Sequence, residues 1–529
     1  MRPARGHGRG ARRRTSVVVA CVVALAAASV RAARLDLGFE AVGTGGLPVG
    51  WTVDDEDRGL VAVDSTVALE GLRSLRIEGD GREGAARAVL RIAPPDVEGN
   101  RLRITVRVKT EGVQGRAAPW VRLESDAGLL YVDRMSGAGA SGTSDWTDYA
   151  IDAPVLEAAT RLELGLMLSG RGTAWFDEIA IEGFDTRTLP APSPAARRYV
   201  ERALELIRDN SMMRDSIDWP SYRAGVLAQA RGAATSADTY LALRYALARL
   251  GDHHSYLLAP DRASVLDLAP VSNARTGRPP VEPRGARLAG DVAYLSVPGF
   301  AGGSHGEQVA LAERLQSLVR ELDRPPICGW IVDLRRNSGG NLWPMLAGIG
   351  PLVGEGEAAA AAYPGGRRVP LWYRDGKAGL GDYVQLRVRG EPYRLARRAP
   401  IAVLLGPRTA SSAEILAIAL RGGPDRRSFG EPTRGVSTGT RTYTLSDGAA
   451  LVLAVAATTD RNGAVHTGPI LPDEPVANRG LSTPLAEQTD VQAALRWLHA
   501  RCANLDDGIR SGAPVADRLE GQNEADRLL

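Results

Sequence analysis

Two serines lie where an apolar strand gives way to a helix, a position that suits a nucleophile. Residues 401–405 are continuously apolar and end at Gly406, and helical spacing is established by Ile415. Residues 409–412, TASS, form the joint, so Ser411 or Ser412 would stand beside unpaired backbone N–H groups at a helix N-terminus. These groups stabilise an alkoxide or a tetrahedral oxyanion. Serine is also an ordinary helix cap, so the joint alone leaves a purely structural role open.

A second polar turn could supply the complementary hydrogen-bond donors. Residues 327–334 read ICGWIVDL, an apolar strand, and are followed by RRNSGG, which ends in Gly339 and Gly340. Glycine allows the backbone to approach a ligand closely, because it has no side chain. The turn therefore predicts backbone amides that are available to a reacting group.

Two adjacent histidines supply a candidate general base. Ser236 and Asp238 open a helix that ends at Gly251, so His253 and His254 lie in its exit turn. Imidazole titrates near neutral pH, which suits it to take a proton from a serine and return it to a leaving amine. The alternative is a histidine that only complements the negative end of the helix dipole.

Taken together, the strings TASSAE, VDLRRNSGG and FGEPTRG resemble the S41 peptidases, the family of the C-terminal processing proteases and the tricorn core. The resemblance implies a ClpP/crotonase-like α/β core in which Ser411 is the nucleophile. It further implies an oxyanion hole built from the amide of Gly339 or Gly340 and the amide of Ser412.

One departure from the processing proteases decides the expected base. Their general-base lysine maps onto Val436, and the nearby Arg434 cannot substitute because a guanidinium stays protonated. A Ser-Lys dyad is therefore excluded. The tricorn-like branch uses a histidine from a motif that resembles LGDxHS, and the string LGDHHS maps that base onto His254, with His253 as the less favoured neighbour.

The group that would orient this histidine is unassigned. Tricorn-like members place a glutamate just before the segment that matches TGPILPDEPV, whereas this chain has His466 and Thr467 there. Three residues are candidates for the orienting group: Asp252, Ser255 and Glu414. The missing lysine and glutamate also motivate an alternative function, a catalytically weak or inactive peptide- or ligand-binding protein on the same fold.

Composition indicates a multidomain globular chain. The length of 529 residues suits about three domains, and the 44% apolar content is enough for folded cores. The net charge of +3 gives no indication of nucleic-acid binding. We expect an all-β jelly-roll sandwich, a helical cap and then the α/β core. The predicted segments are a signal peptide at 1–33, the β-module at 34–184, the cap at 190–270, the core at 280–480, and a C-terminal helix and tail at 484–529.

The N-terminus reads as an export signal. Residues 1–15 are rich in arginine, residues 16–30 are apolar, and alanines offer cleavage sites between Ala28 and Ala33. The apolar run is shorter than the ~20 residues that span a bilayer, so we expect cleavage and no stable membrane span afterwards. Because the apolar run continues past Cys21, we expect no lipid anchor. The protein is predicted to be periplasmic or extracellular.

The N-terminal β-module is predicted from strands with a period of two. Apolar and polar residues alternate in 101–108, and leucines alternate in 162–168. The opening LGFEAVGTGG and the closing GTAWFDEIAIEG resemble carbohydrate-binding and galactose-binding-like jelly rolls. The resemblance makes a glycan a candidate partner, although a fold does not fix a function.

Four side chains of the module are candidates for ligand contacts. Trp51 or Trp146 could stack on a sugar ring, but each has an alternative role as a buried sandwich tryptophan. Glu40 and Asp177 fall where related modules hold a structural calcium. Calcium is the only cofactor that the resemblance suggests, since the peptidase chemistry needs no metal or organic cofactor.

The remaining sequence features argue against a cysteine-based framework and against a PDZ domain. Cys328 and Cys502 remain after the signal peptide, and their pattern predicts neither a disulfide framework nor a zinc site. Residues 260–290 are too short for a PDZ domain, because a domain needs ~50 residues. The sequence therefore predicts an exported serine endopeptidase that hydrolyses proteins or peptides through a Ser411–His254 acyl-enzyme mechanism.

Overall fold

The computed structural model describes residues 37–43, 45–94, 99–126, 128–135, 139–260, 282–300, 303–423, 425–477 and 483–510. The predicted signal peptide, most of the segment between the cap and the core, and the predicted tail beyond residue 510 lie outside the described residues. The boundaries proposed for the segments therefore stay predictions.

The N-terminal unit is all-β, as predicted. Its strands are β1 (Trp51–Thr52), β2 (Val61–Asp64), β3 (Ser74–Ile92), β4 (Arg101–Ser125), β5 (Gly128–Asp133), β6 (Ala140–Pro154) and β7 (Arg161–Phe184). They form one antiparallel sheet in the order β1-β3-β7-β4-β5, with β2 beside β3 and β6 beside β4.

Glycines bend the long strands of this sheet so that it curls over its own core. The pairing register shifts between Asp80 and Ala85 in β3 and between Glu111 and Gln114 in β4. Opposite these shifts, Gly170 and Gly172 of β7 adopt positive φ and face neighbouring backbone too closely for a side chain. One apolar cluster joins both halves of the bent strands, which confirms the predicted sandwich.

Three described helices come after the β-module, and the first begins within the proline-rich joint LPAPSPAAR at residues 189–197. They are α1 (Pro194–Asn210), α2 (Trp219–Gln229) and α3 (Tyr240–Ala248). Ser193 caps α1 by accepting the N–H of Ala196, and Pro194 occupies the first turn, where a missing N–H costs nothing. Their buried faces pack against one another and against the core. The helices lie where the cap was predicted, and the role of a cap stays a prediction.

The first sheet of the core is mainly parallel. Its strands are β9 (Arg284–Leu288), β10 (Val292–Ser296), β11 (Gly329–Asp333), β16 (Ile401–Leu405), β17 (Arg426–Gly430) and β21 (Glu474–Pro475). They are ordered β21-β17-β16-β11-β10-β9, and only β9 runs antiparallel. The predicted α/β crossover layer is thus confirmed, with β11 and β16 as central neighbours.

A second, antiparallel sheet stands beside the first. Its strands are β8 (Tyr256–Leu258), β12 (Gly356–Ala362), β13 (Arg368–Arg374), β14 (Lys377–Leu380), β15 (Tyr383–Arg387), β18 (Gly439–Thr444), β19 (Ala450–Thr459) and β20 (Val465–His466). Strands β18 and β19 form a hairpin within this sheet. Strand β8, which directly follows the histidine turn, also pairs with β19.

Within the described ranges, four further helices cover the core: α4 (His305–Leu322), α5 (Leu342–Val353), α6 (Ser412–Ala419) and α7 (Thr489–Arg510). The last of these is held to the first sheet by a buried ion pair, in which Arg335 contacts Asp490 at 2.8 Å and Asp333 at 2.6 Å. Arg335 is 4% exposed and Asp490 fully buried. This network fixes the segment that follows β11.

One cysteine prediction was wrong. Cys328 and Cys502 form a disulfide across a sequence separation of 174 residues, with their Cα atoms 5.4 Å apart. The spacing in sequence could not show this, because only the packing of α7 beside β11 brings the two residues together. The bond links the C-terminal helix to the core.

Candidate functional site

Ser411 stands in a strained turn between β16 and α6. Its backbone has φ 55° and ψ −120°, a conformation that residues with a side chain rarely adopt and that costs about 1–3 kcal/mol. The preceding residues are tied to the loop after β11: the Thr409 hydroxyl donates to Leu334 O at 2.9 Å, and the Ala410 N–H donates to Asn337 O at 3.1 Å. The joint predicted from sequence is therefore a rigid turn at the carboxyl ends of two parallel strands.

Glu414 holds this turn from within the helix. Its buried carboxylate accepts the N–H of Ser411 at 2.8 Å and that of Val436 at 2.9 Å. The other oxygen accepts the N–H of Gly435 at 2.9 Å and the Thr433 hydroxyl. Burial raises the pKa of this carboxyl, while the hydrogen bonds oppose that shift. One side chain thus fixes the turn that contains Ser411 against the loop that precedes β18.

The two glycines of the other turn have different roles. The N–H of Gly339 donates to Asn337 Oδ1 at 2.9 Å, so that amide is already used. A Cβ on Gly339 would lie 2.9 Å from the Cβ of Ser411 and 3.2 Å from the nitrogen of Ser412, which shows how closely the turns approach. Gly340 lines the cleft, and its carbonyl accepts the Ser412 hydroxyl. Of the two alternatives, the geometry favours the amide of Gly340 over that of Gly339.

His254 lies where its helix exit turn meets the second sheet. Gly251 has φ 70°, and the Asp252 carboxylate accepts the N–H groups of His254 at 2.9 Å and Ser255 at 2.7 Å, which fixes the turn. The imidazole Nδ1 is 2.8 Å from Thr438 Oγ1. His254 and Thr438 meet because β8 and β18, the strands that follow them, both pair with β19.

The surroundings keep the His254 ring neutral. Its pKa is lowered to about 4, chiefly because burial disfavours the charged ring. The positive charge of Arg434 lowers the pKa further, whereas Asp252 opposes the shift. In the neutral tautomer whose Nδ1 donates to the Thr438 hydroxyl, Nε2 is the proton acceptor.

The residues proposed to orient His254 have other tasks. Asp252 and Ser255 fix the backbone of the turn, since the Ser255 hydroxyl donates to Asp252 and accepts the N–H of Ala454 at 2.9 Å. Glu414 contacts the serine turn. The ring partner is Thr438, which sequence reasoning missed because nothing in its local sequence distinguishes it from an ordinary strand-edge hydroxyl.

The neighbouring histidines of the site have partners elsewhere. His253 Nδ1 is 2.6 Å from Leu129 O in the β-module, so its ring is engaged away from the serine turn. His466, which lies in the segment where tricorn-like members place a glutamate, has its Nε2 3.3 Å from Asp460 Oδ2. Val436, at the position of the absent lysine, is a buried apolar residue.

Ser411 opens into a cleft of about 250 Å³. Its polar lining residues are Asn341, Ser411, Ser412, Thr438, Thr440 and Thr458, with backbone from Gly340 and Gly439, and its apolar and aromatic lining residues are Leu342, Trp343, Ala361, Tyr363, Leu371, Leu380, Ile415, Val455 and Ala456. Among the described residues no hydrogen bond joins Ser411 to His254, so their direct contact stays a prediction. Thr438, which contacts the imidazole, also lines the cleft.

The candidate ligand contacts of the β-module have mixed outcomes. Trp51 is 5% exposed and belongs to the module core, whereas Trp146 is half-buried on β6. Glu40 accepts the N–H groups of Leu72 and Arg73, and Asp177 likewise accepts backbone N–H groups. Within the described part of the chain, no group of three or more His, Cys, Asp or Glu side chains is arranged to hold a metal ion. A structural calcium stays a prediction.

Comparisons with known proteins add three likenesses. A nisin-resistance protein from Lactococcus lactis subsp. lactis is 27% identical over 281 residues, which cover 53% of this chain and 83% of that protein. A solved lipoprotein from Streptococcus agalactiae shares 22% identity at a TM-score of 0.47, covering 58% and 97% of the two chains. A family 16 carbohydrate-binding module shares 15% identity at a TM-score of 0.21, covering 28% and 99%.

One family model matches the segment that carries most of the site. The model of peptidase family S41 matches residues 291–476, which contain Ser411, both glycines of the neighbouring turn and Thr438. His254 lies before this match, in the segment that supplies β8 to the second sheet. The segment that carries the serine turn, the glycine turn and Thr438 is therefore similar to peptidase family S41.

Proposed function

We propose that the protein is an exported serine endopeptidase in which Ser411 is the nucleophile and His254 the general base. One observation carries the proposal: Ser411 occupies a strained helix N-terminus in a cleft whose wall residue, Thr438, contacts a neutral imidazole. Strained backbone at a residue with a side chain is found mainly at functional sites. A merely structural helix cap has no need of it.

The arrangement supports acyl transfer. Ser411 Oγ attacks the carbonyl carbon of a peptide bond while its proton passes to His254 Nε2, because Nδ1 faces Thr438. The N–H groups of Gly340 and Ser412 stabilise the negative oxygen of the tetrahedral intermediate. His254 then donates the proton to the leaving amine, and a water molecule hydrolyses the acyl-enzyme. No step requires a metal or an organic cofactor.

The cleft indicates the substrate class. Its apolar and aromatic lining residues suit an apolar side chain of a peptide. We infer a peptide or protein substrate with an apolar residue near the cleaved bond. A glycan partner of the β-module stays a prediction, with Trp146 as the half-buried aromatic candidate.

Export is supported by two independent features. The N-terminal sequence has the arginine-rich and apolar regions of a signal peptide. The Cys328–Cys502 disulfide suits an oxidising compartment, since cytosolic thiols are usually kept reduced. Among the described residues no helix is long and apolar enough to cross a membrane.

The test is covalent labelling by a fluorophosphonate probe together with hydrolysis of a peptide library. We expect one adduct on the wild type and its loss in Ser411→Ala, with peptidase activity reduced by at least ~10³-fold in Ser411→Ala and in His254→Ala. Ser446→Ala, an exposed serine in the hairpin turn, should label and cleave normally.

The alternative function is a binding protein without catalysis. It is favoured by the absence of a hydrogen bond between Ser411 and His254 in the described part of the structure. Folded wild type that forms no adduct and cleaves no peptide, yet binds peptides, would replace the peptidase proposal with this alternative. Labelling that persists in Ser411→Ala would refute the assignment of the nucleophile.

A further inference from the structure

We propose that the N-terminal β-module is a structural part of the active site, in which His253 is a positioning residue that holds the turn carrying His254. The inference rests on the proposed role of His254 as the base. It gives the module a task beyond ligand binding or targeting.

The first contact joins the module directly to the histidine turn. His253 Nδ1 is 2.6 Å from the carbonyl oxygen of Leu129 in β5. Because a carbonyl only accepts, Nδ1 carries the hydrogen and the imidazole donates. His253 has φ 55°, a left-handed conformation that a residue with a side chain keeps only when its surroundings hold it. The bond to Leu129 is such a restraint on the residue next to His254.

A second contact holds the helix that leads into the turn. Arg244 on α3 lies 2.8 Å from Asp133 at the end of β5, and both side chains are partly shielded from solvent. Leu129 and Asp133 belong to the same short strand, so β5 meets both the helix and its exit turn. Two contacts four residues apart along one strand fix the direction of the turn as well as its position.

The module itself is anchored on the helices. The buried side chain of Gln229, at the end of α2, donates to Asn100 O at 2.7 Å, and the backbone carbonyl of Gln229 accepts from the buried Arg101 of β4. Arg231 donates to the carbonyl of Leu189 at 2.9 Å in the connecting joint. The strand that contacts the histidine turn therefore belongs to a module that is itself fixed to the helices.

This arrangement matters because a general base must be held within a fraction of an ångström of its partner. On the other side of the turn, Thr438 is the one hydrogen-bond partner of the His254 ring among the residues that the structure describes. Loss of the His253 contact would free the turn between Gly251 and β8 and move the imidazole away from Thr438. Catalysis should then fall while substrate binding in the cleft is kept.

The test uses His253→Gly and His253→Asn in the full chain. Glycine accepts φ 55° but removes the donor, whereas asparagine tolerates the same conformation and keeps a donor. We expect His253→Gly to lower kcat roughly tenfold with KM nearly unchanged, and His253→Asn to restore most of it. Arg223→Ala, which removes a surface contact to Glu201 in the same helical segment, is the matched control and should leave kcat unchanged.

Two kinetic outcomes would overturn the inference: wild-type kcat in His253→Gly, or an equal loss in His253→Asn. Nitrogen-15 NMR of the His254 ring at fixed pH gives a readout that does not depend on activity. If the wild type shows no Ser411-dependent activity, the proposed function fails, and the ring shifts still decide this inference. A change of the ring nitrogen shifts in His253→Gly that His253→Asn reverses supports the inference, and unchanged shifts in both variants refute it.

Discussion

At the scale of single residues, the site depends on two turns that hold their residues in left-handed backbone conformations. Ser411 and His253 both have φ 55°; Ser411 is restrained by the carboxylate of Glu414 in the adjoining helix, and His253 by the carbonyl of Leu129 in the β-module. The strain at Ser411 is offset by Glu414, and that at His253 by the β-module. Both turns present their neighbours, Ser412 and His254, in fixed directions.

The lowered pKa of His254 predicts an unusual acid limit for activity. The base must be neutral, and its pKa of about 4 keeps it neutral where an ordinary histidine is already protonated. We expect kcat/KM to persist as pH falls through 6 and to be lost as pH falls through about 4. Because the charge of Arg434 lowers this pKa and Asp252 raises it, Arg434→Gln should move the acid limit to higher pH.

The measurement is a pH profile of kcat/KM on a peptide substrate. Arg408→Gln is the matched control, since Arg408 is exposed in the serine joint and is not among the charges that shift His254. A limit near pH 6.5 in the wild type, or no movement in Arg434→Gln, would contradict the electrostatic account.

Replacement of Glu414 should disrupt the turn that contains Ser411, although Glu414 takes no part in the proposed proton transfer. Glu414→Gln puts an amide donor opposite the N–H groups of Ser411 and Val436, which need an acceptor. We expect kcat/KM to fall about 10²-fold and the free energy of unfolding by about 1–3 kcal/mol. Glu431→Gln makes the same change on a half-buried residue nearby, and should alter both quantities little. An unaffected Glu414→Gln enzyme would show that the turn is held by other contacts.

At the scale of elements, the C-terminal helix is joined to the central sheet by a disulfide and a buried ion pair. Cys328 precedes β11, and Arg335 follows it, so both ends of one central strand are linked to α7. Since the glycine turn begins just after Arg335, the helix stabilises the segment that holds Gly340, the proposed oxyanion donor.

Removal of the disulfide should lower stability substantially. The bond closes a loop of 174 residues, and loss of a native disulfide typically costs about 2–5 kcal/mol. We expect Cys502→Ser to lower the free energy of unfolding by that amount in urea, followed by tryptophan fluorescence. Reduction of the wild type with a thiol should reproduce the effect, and Cys502→Ser should not respond to the reductant. Identical curves for the oxidised wild type and the variant would contradict the linkage.

At the scale of the whole molecule, the β-module and the helices share a buried polar interface. Gln229 is 2% exposed and bonds to Asn100, beside the buried Arg101. Gln229→Ala would leave the Asn100 carbonyl without this donor, so we expect a loss of about 1–3 kcal/mol in the free energy of unfolding. Ser221→Ala, on an exposed position of the same helix, should change it by less than about 0.5 kcal/mol. A Gln229→Ala variant as stable as this control would show that the interface contributes little.

The sequence by itself determined the elements and the chemical types of the site. The apolar run 401–405 is β16 to the residue, because a fully buried strand needs an unbroken apolar stretch. The turn with Ser411, the turn with Gly339 and Gly340, and the exit turn with His254 all lie where local signals put them. Such signals act over a few residues and can be found without the fold.

Only the tertiary structure decided which distant residues meet. Thr438 contacts His254 because two strands pair with β19, and Glu414 reaches three residues of a loop that follows β17. The Cys328–Cys502 bond and the His253–Leu129 contact likewise join segments more than 100 residues apart. These contacts follow from strand pairing and helix packing across the whole chain, and local composition carries no record of either.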